Sequence, residues 1–136
     1  MAKTKLKRLS PRQSRDLDIQ IGFLEGLIQR DPTYSEALEQ LADAYVDRGR
    51  VVDGLQIDRR LANLRPADPQ VRYNLACSLT LAGQIEIAAS ELETAVDLGF
   101  RDFQWMSEDP DLALLREQPV FRRIQARIQD LTGEST

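Results

Sequence analysis

The chain has 136 residues, 42% of them apolar and 29% charged, with a formal net charge of −4; that is one domain's worth of chain with an ordinary core-forming fraction. It contains no histidine and one cysteine, Cys77, which excludes an internal disulfide, leaves no recognised zinc spacing and removes the commonest general base near neutral pH. No apolar run approaches the ~18–20 residues that a membrane span needs.

The charge is unevenly spread. Residues 1–15 hold Lys3, Lys5, Lys7, Arg8, Arg12 and Arg15 and no acid, whereas the other 12 of the 18 basic residues, all arginine, face 22 acids over residues 16–136. Residues 1–13 have almost no apolar content and cannot bury enough surface to offset the loss of chain entropy. A basic disordered arm over residues 1–13 is therefore expected. Three readings of it stand: a solvated tail, a contact with nucleic acid or an acidic partner, or a return onto the chain's own acidic surface. It lacks interleaved aromatics for base stacking, so nucleic acid is not the expected partner. The Ser10-Pro11-Arg12-Gln13-Ser14-Arg15 run is unlike the apolar core of a secretory signal, and a cytoplasmic protein without membrane contact is expected.

Helical spacing begins near Asp16, with Leu17, Ile21, Leu24 and Ile28 on one row and Ile19, Phe23 and Leu27 on a second. A helix apolar on two sides calls for two neighbours. Asp31-Pro32 ends it, because the residue before proline is steered from helical dihedrals. The next helix is predicted to start around Ser35, capped by Thr33 or Ser35, with Leu38, Leu41, Ala42 and Tyr45 as its buried stripe and Gly49 as its stop. Its partner runs from about Val51 through Val52, Leu55, Leu61, Ala62 and Leu64 to Arg65-Pro66. Asp68-Pro69, an acidic cap before proline at the first helical position, restarts the pattern with Val71, Leu75, Ala76, Leu79 and Gly83. Ile85, Ala88, Ala89, Leu92, Ala95, Val96 and Leu98 follow, and Gly99 closes that helix.

These segments repeat at a displacement of 34 residues. Leu41-Ala42 recurs as Leu75-Ala76, Gly49-Arg50-Val51 as Gly83-Gln84-Ile85, and Leu64 as Leu98; Asp31-Pro32 precedes Arg65-Pro66 by the same interval. A fixed period of this size marks stacked supersecondary units that bury their faces against one another. Ala42 and Ala76 are small enough to let paired helices approach closely. After Gly99 the period fails: Phe100, Phe103, Trp105 and Met106 cluster, Asp109-Pro110 opens a short helix, and a last one from Pro119 carries Phe121, Ile124, Ile128 and Leu131. Such a segment suits the covering of a final apolar face.

These residues resemble the tetratricopeptide repeat (TPR) family. The small residue after Leu41 and Leu75, the aromatic Tyr45, Gly49 and Gly83, Leu61 and Ala95, and Pro32 and Pro66 fit its pattern over roughly residues 16–99. The run over residues 100–131 looks like the terminal segment of many bacterial members. Leu38 stands where tryptophan is typical, Gly54 where alanine is usual and Phe100 where a closing proline would fall. The resemblance implies an all-α, right-handed superhelical stack of antiparallel helix pairs: a single domain over residues 14–131, made of a leading helix 14–31, repeats 35–68 and 69–100 and a C-terminal cap 101–131, with 132–136 as a tail. It implies a scaffold or adaptor, not an enzyme, that holds a partner protein or peptide in a concave groove, with no cofactor and no metal. Carried onto this sequence, the groove shows Glu36, Glu39, Asp43, Val46 and Asp47 on the first inner helix. The second shows Gln70, Tyr73, Asn74, Cys77, Thr80 and Leu81. Acids at the first set favour a basic ligand, against the plain reading of a solvated helix face. A different class of function is a self-associating module, a homodimer through the first helix or the cap.

Other residues take their plain readings. Gly22 and Gly26, each costing ~1 kcal/mol against alanine in a helix, fit close packing against the helix of Tyr45 or self-pairing of the first helix. Cys77 reads as a small half-buried residue or as a groove thiol, Trp105 as an anchor of the cap, and Arg59-Arg60 and Arg122-Arg123 as exposed helix faces.

Overall fold

The computed structural model describes residues 8–133. Among them the chain is all-helical, with no strand: α1 (Pro11–Arg30), α2 (Ser35–Asp47), α3 (Val51–Leu64), α4 (Pro69–Leu81), α5 (Ile85–Leu98), α6 (Phe103–Glu108), a 3-10 turn (Pro110–Leu112), α7 (Ala113–Arg116) and α8 (Phe121–Thr132). The chain gathers into two compact units, one within residues 5–66 and one from Ala67 onward, where the sequence suggests a single domain over 14–131. The break falls at Pro66, which cannot continue α3, and just before Asp68, which caps α4.

In the first unit, α1 starts earlier than expected. The Ser10 hydroxyl accepts from the Gln13 amide at 3.1 Å and the Gln13 side chain accepts from the Ser10 amide at 2.9 Å, with Pro11 in the first helical position. This reciprocal cap draws residues 11–13 into the helix despite their polarity; residues 1–7 of the expected arm lie outside the described residues. Ile21 and Leu24 bury the inner face against α2. The Tyr45 hydroxyl donates to Glu25, and the Arg48 guanidinium meets Asp18 at 2.8 Å. The second apolar row does not find its neighbour: Ile19 is 71% and Phe23 65% exposed.

Helix α2 has no side-chain cap, because Asp31 Oδ1 takes both the Thr33 amide and its hydroxyl and Ser35 lies inside the helix. Its expected stripe of Leu38, Leu41, Ala42 and Tyr45 is buried, together with Ala37 and Ala44. On α3, Leu55, Leu61 and Ala62 are buried as expected, while Val52 and Leu64 face solvent. The two helices touch at Gly54. A Cβ there would lie 2.9 Å from Val46 Cγ2 and 3.3 Å from the Ala42 carbonyl oxygen, so glycine is what the approach of the two backbones requires.

In the second unit, Asp68 Oδ1 accepts from the Gln70 and Val71 amides and Pro69 opens α4. Val71, Leu75, Ala76 and Leu79 interlock with Ala88, Ala89, Leu92, Ala95 and Val96, all buried. Phe100, Met106, Leu112, Leu115, Phe121 and Ile124 complete this core. Trp105 is 47% exposed, so Met106, not Trp105, anchors the cap. Helix α8 is tied to α5 by Arg123–Glu93 (2.6 Å) and Arg127–Asp97 (2.9 Å), solvent-facing pairs of modest worth.

The two hairpins share their turn. Gly49 and Gly83 adopt left-handed φ values of 87° and 80°. The amides after them reach back to Tyr45 and Leu79 carbonyls at 2.7 and 2.9 Å, satisfying helix ends that would otherwise be open.

Gly22 and Gly26 have no neighbour within 4 Å of the Cβ they lack, which removes close packing against Tyr45's helix as their reason. Alanine at either is expected to raise the unfolding free energy by up to ~1 kcal/mol. At Gly54, alanine should fall short of that gain or destabilise, and Val46→Ala should restore it. Urea titration of the single and double variants reads the contrast, and equal gains at all three glycines would count against a helix approach limited at Gly54.

Candidate partner-binding surface

The acids expected on the first inner helix stand in a row. Glu36, Glu39, Asp43 and Asp47 recur at three and four residues along α2, which places them on one face. Glu36, Asp43 and Asp47 are exposed and Glu39 is half-buried, its carboxylate 3.0 Å from the Arg65 guanidinium; Val46 is half-buried beside them. The pKa of Asp43 is raised, first by neighbouring atoms that displace part of its water and then by the negative charges of Asp47 and Glu39.

At the end of the row a cleft of about 250 Å³ opens, lined by Leu9, Gln13, Asp16, Leu17 and Asp47. Two carboxylates and two leucines share its lining. Sequence spacing did not bring Leu9, Gln13, Asp16 and Leu17 into the site, because the first two fell in the expected arm. The Ser10–Gln13 cap was the available signal.

The residues expected on the second inner helix divide. Gln70 is exposed and Asn74 half-buried, and the Gln70 side-chain amide donates to the Asn74 carbonyl oxygen at 2.9 Å. Leu81 is half-buried. Tyr73, Cys77 and Thr80 are buried instead of lining a groove, at 2%, 8% and 0% exposure. The chain's own continuation meets Tyr73 and Cys77. The Tyr73 ring stacks on Phe100 with centroids 4.1 Å apart and planes 5° from parallel, and its hydroxyl donates to Asp109 Oδ2 at 2.7 Å. The Cys77 thiol points at the same oxygen, 3.7 Å away, and Thr80 bonds back to the Ala76 carbonyl.

Asp109 is the residue that the spacing missed. It is 4% exposed, caps the 3-10 turn by accepting from the Asp111 amide at 3.0 Å, and has its carbonyl held by Arg116 at 2.7 Å. Burial, then Cys77 and the bond to Asp109, push the Tyr73 phenol far above its ordinary pKa, so the phenol is a fixed donor. No group of three or more His, Cys, Asp or Glu side chains that could hold a metal ion occurs among the described residues, and none of their helices is long and apolar enough to cross a membrane.

Together these features define an all-helical protein of short antiparallel hairpins with an acidic helix face. No family model matches the chain, and no solved structure matches it. It is similar to a chloroplastic protein of Arabidopsis thaliana, with 28% identity over 117 residues that cover 85% of this chain. The match covers 30% of that protein, so the chain spans less than a third of the relative's length.

Two outcomes follow from these geometries. Because the folded pKa of Asp43 is raised, stability linked to its neutral form is fully present below its ordinary value of 3.8 and is lost as pH rises through the folded value. Asp43→Asn should therefore lift the thermal midpoint near neutral pH, with the gap closing towards pH ~3; a gap independent of pH would assign the effect elsewhere. Tyr73→Phe should cost about 1–3 kcal/mol in chemical denaturation, because it strips a donor from a buried carboxylate. A neutral result would mean that Asp109 is held without it.

Proposed function

We propose that this chain is a tetratricopeptide-type interaction module that holds a basic segment of a partner protein against the acidic face of α2, and that it is not an enzyme. The observation that carries the reading is the row Glu36, Glu39, Asp43 and Asp47, in which Asp43 is kept above its ordinary pKa first by lost hydration and then by the charges of Asp47 and Glu39. A lysine or arginine placed on that face relieves the repulsion, and the gain is largest where water is already displaced. The adjoining cleft offers Leu9 and Leu17 to the aliphatic stem of such a side chain and Asp16 and Asp47 to its charged head.

The hairpin geometry supports the repeat reading. Helices α2 and α4 have 13 residues each, α3 and α5 have 14, and each helix of the second pair starts 34 residues after its counterpart. Both pairs turn on a left-handed glycine. The right-handed superhelical stacking of the family and a cytoplasmic location belong to the same reading. On α4, Gln70 is exposed and Asn74 and Leu81 are half-buried, while Tyr73, Cys77 and Thr80 are buried.

The test is fluorescence anisotropy with an arginine-rich synthetic peptide at low and moderate salt. Asp43→Lys with Asp47→Lys should weaken binding about tenfold or more, while Glu86→Lys, a charge change off this face, should leave affinity close to wild type. Equal losses in both variants would reduce the effect to net charge, and no loss in either would remove the acidic face as a site.

A further inference from the structure

The outer face of α1 carries a second and opposite surface. On a helix with 3.6 residues per turn, Arg12, Arg15, Ile19, Phe23 and Arg30 fall on one side, away from the buried Ile21 and Leu24. Ile19 and Phe23 are two of the most exposed large apolar side chains of the described residues. Isolated exposed apolar residues need no explanation, but these two are consecutive turns of one stripe. The glycines Gly22 and Gly26 border the same side with nothing within 4 Å. They weaken α1 and serve no packing among the described residues.

The charges are the second observation. Several arginines elsewhere are engaged: Arg48 with Asp18, Arg65 with Glu39, Arg72 with Glu91, Arg123 with Glu93 and Arg127 with Asp97. Arg12, Arg15 and Arg30 have no ion-pair partner among the described residues, and the one acid of α1 near their stripe, Asp16, stands at its edge and lines the cleft beside Asp47. A basic stripe with an apolar centre fits an occupant that is acidic at its ends and apolar in its middle. The two glycines leave the surface flat enough for a second helix backbone to come close, which a lipid headgroup layer would not need.

A second copy of this chain is a poor occupant. Symmetric pairing of two such stripes brings arginines together. The exposed positions of α2, Glu36, Gln40, Asp43 and Asp47, offer charge but no large apolar side chain for Ile19 and Phe23. The acids Glu91, Glu93 and Asp97 of α5 are already bound by Arg72, Arg123 and Arg127.

We propose that the outer face of α1 docks an acidic amphipathic helix of a partner protein, with Ile19 and Phe23 against the partner's apolar patch and Arg12, Arg15 and Arg30 against its carboxylates. This face is separate from the acidic row of α2, so the two readings stand or fall independently.

The probe is a synthetic helix with a central leucine patch and glutamates on the same side at both ends, titrated against the intact protein by fluorescence anisotropy. Saturable binding that weakens with salt is expected. Phe23→Ser and the pair Arg12→Glu, Arg15→Glu should each reduce affinity about tenfold or more, with helix content checked by circular dichroism. Gly26→Leu should favour the α1 helix yet weaken binding, opposite signs that a merely structural role would not give. Asp43→Lys with Asp47→Lys should leave this affinity undiminished, which separates the test from that of the acidic face. Three results would overturn the proposal: no binding above a scrambled peptide, binding indifferent to Phe23→Ser, or sedimentation showing a wild-type dimer that Arg15→Glu dissolves. Preferential pelleting with anionic vesicles, lost in the same variants, would likewise replace the helix by a lipid surface.

Discussion

The structure depends on how near two helix axes can come. In each hairpin the contact is built on residues with little or no side chain: Ala42 and Gly54 in one, Ala76, Ala88 and Ala89 in the other. Small residues at the crossing let the leucines on either side interdigitate, and dispersion between closely packed atoms accumulates only when no gap is left. In the first hairpin the limit has been reached, because a single added carbon at Gly54 meets Val46. The helical lengths, the glycine turns and the proline breaks all serve to bring these short rows into register.

Once the backbones are that close, the remaining polar groups are sorted by solvent access. The second unit turns its buried polar groups on itself: Tyr73, Cys77 and Asp109 satisfy one another, and Arg116 holds the carbonyls that the short cap leaves open. The first unit buries Asp58 on α3 but carries exposed acids along α2 and, along α1, arginines without an ion pair among the described residues. Charge separation of this kind contributes little to folding and much to the choice of partner.

The hairpins were legible because their signals are local. Gly49, Gly83, Pro66 and Asp68-Pro69 fix where α2 to α5 stop and start, and the alanine and leucine rows fix which face turns inward. The surface was less legible. Tyr73 and Cys77 occupy positions that the repeat alone leaves open, and what they meet, Phe100 and Asp109, lies beyond the period. The start of α1 followed a cap of two side chains, Ser10 and Gln13, which composition does not register. Trp105 and Met106 could not be told apart because a six-residue helix is too short to establish a periodicity. Gly54, a departure from the family's alanine, proved to be set by a valine eight residues earlier, across the turn.

One consequence attaches to the chemistry of Cys77. It is the chain's single thiol, and it lies shut behind Asp109 and the segment that closes the second unit. A small alkylating reagent therefore reads the opening of the contact between Cys77 and Asp109. The protein thus carries an internal clock for the breathing of one end, readable by mass without a label.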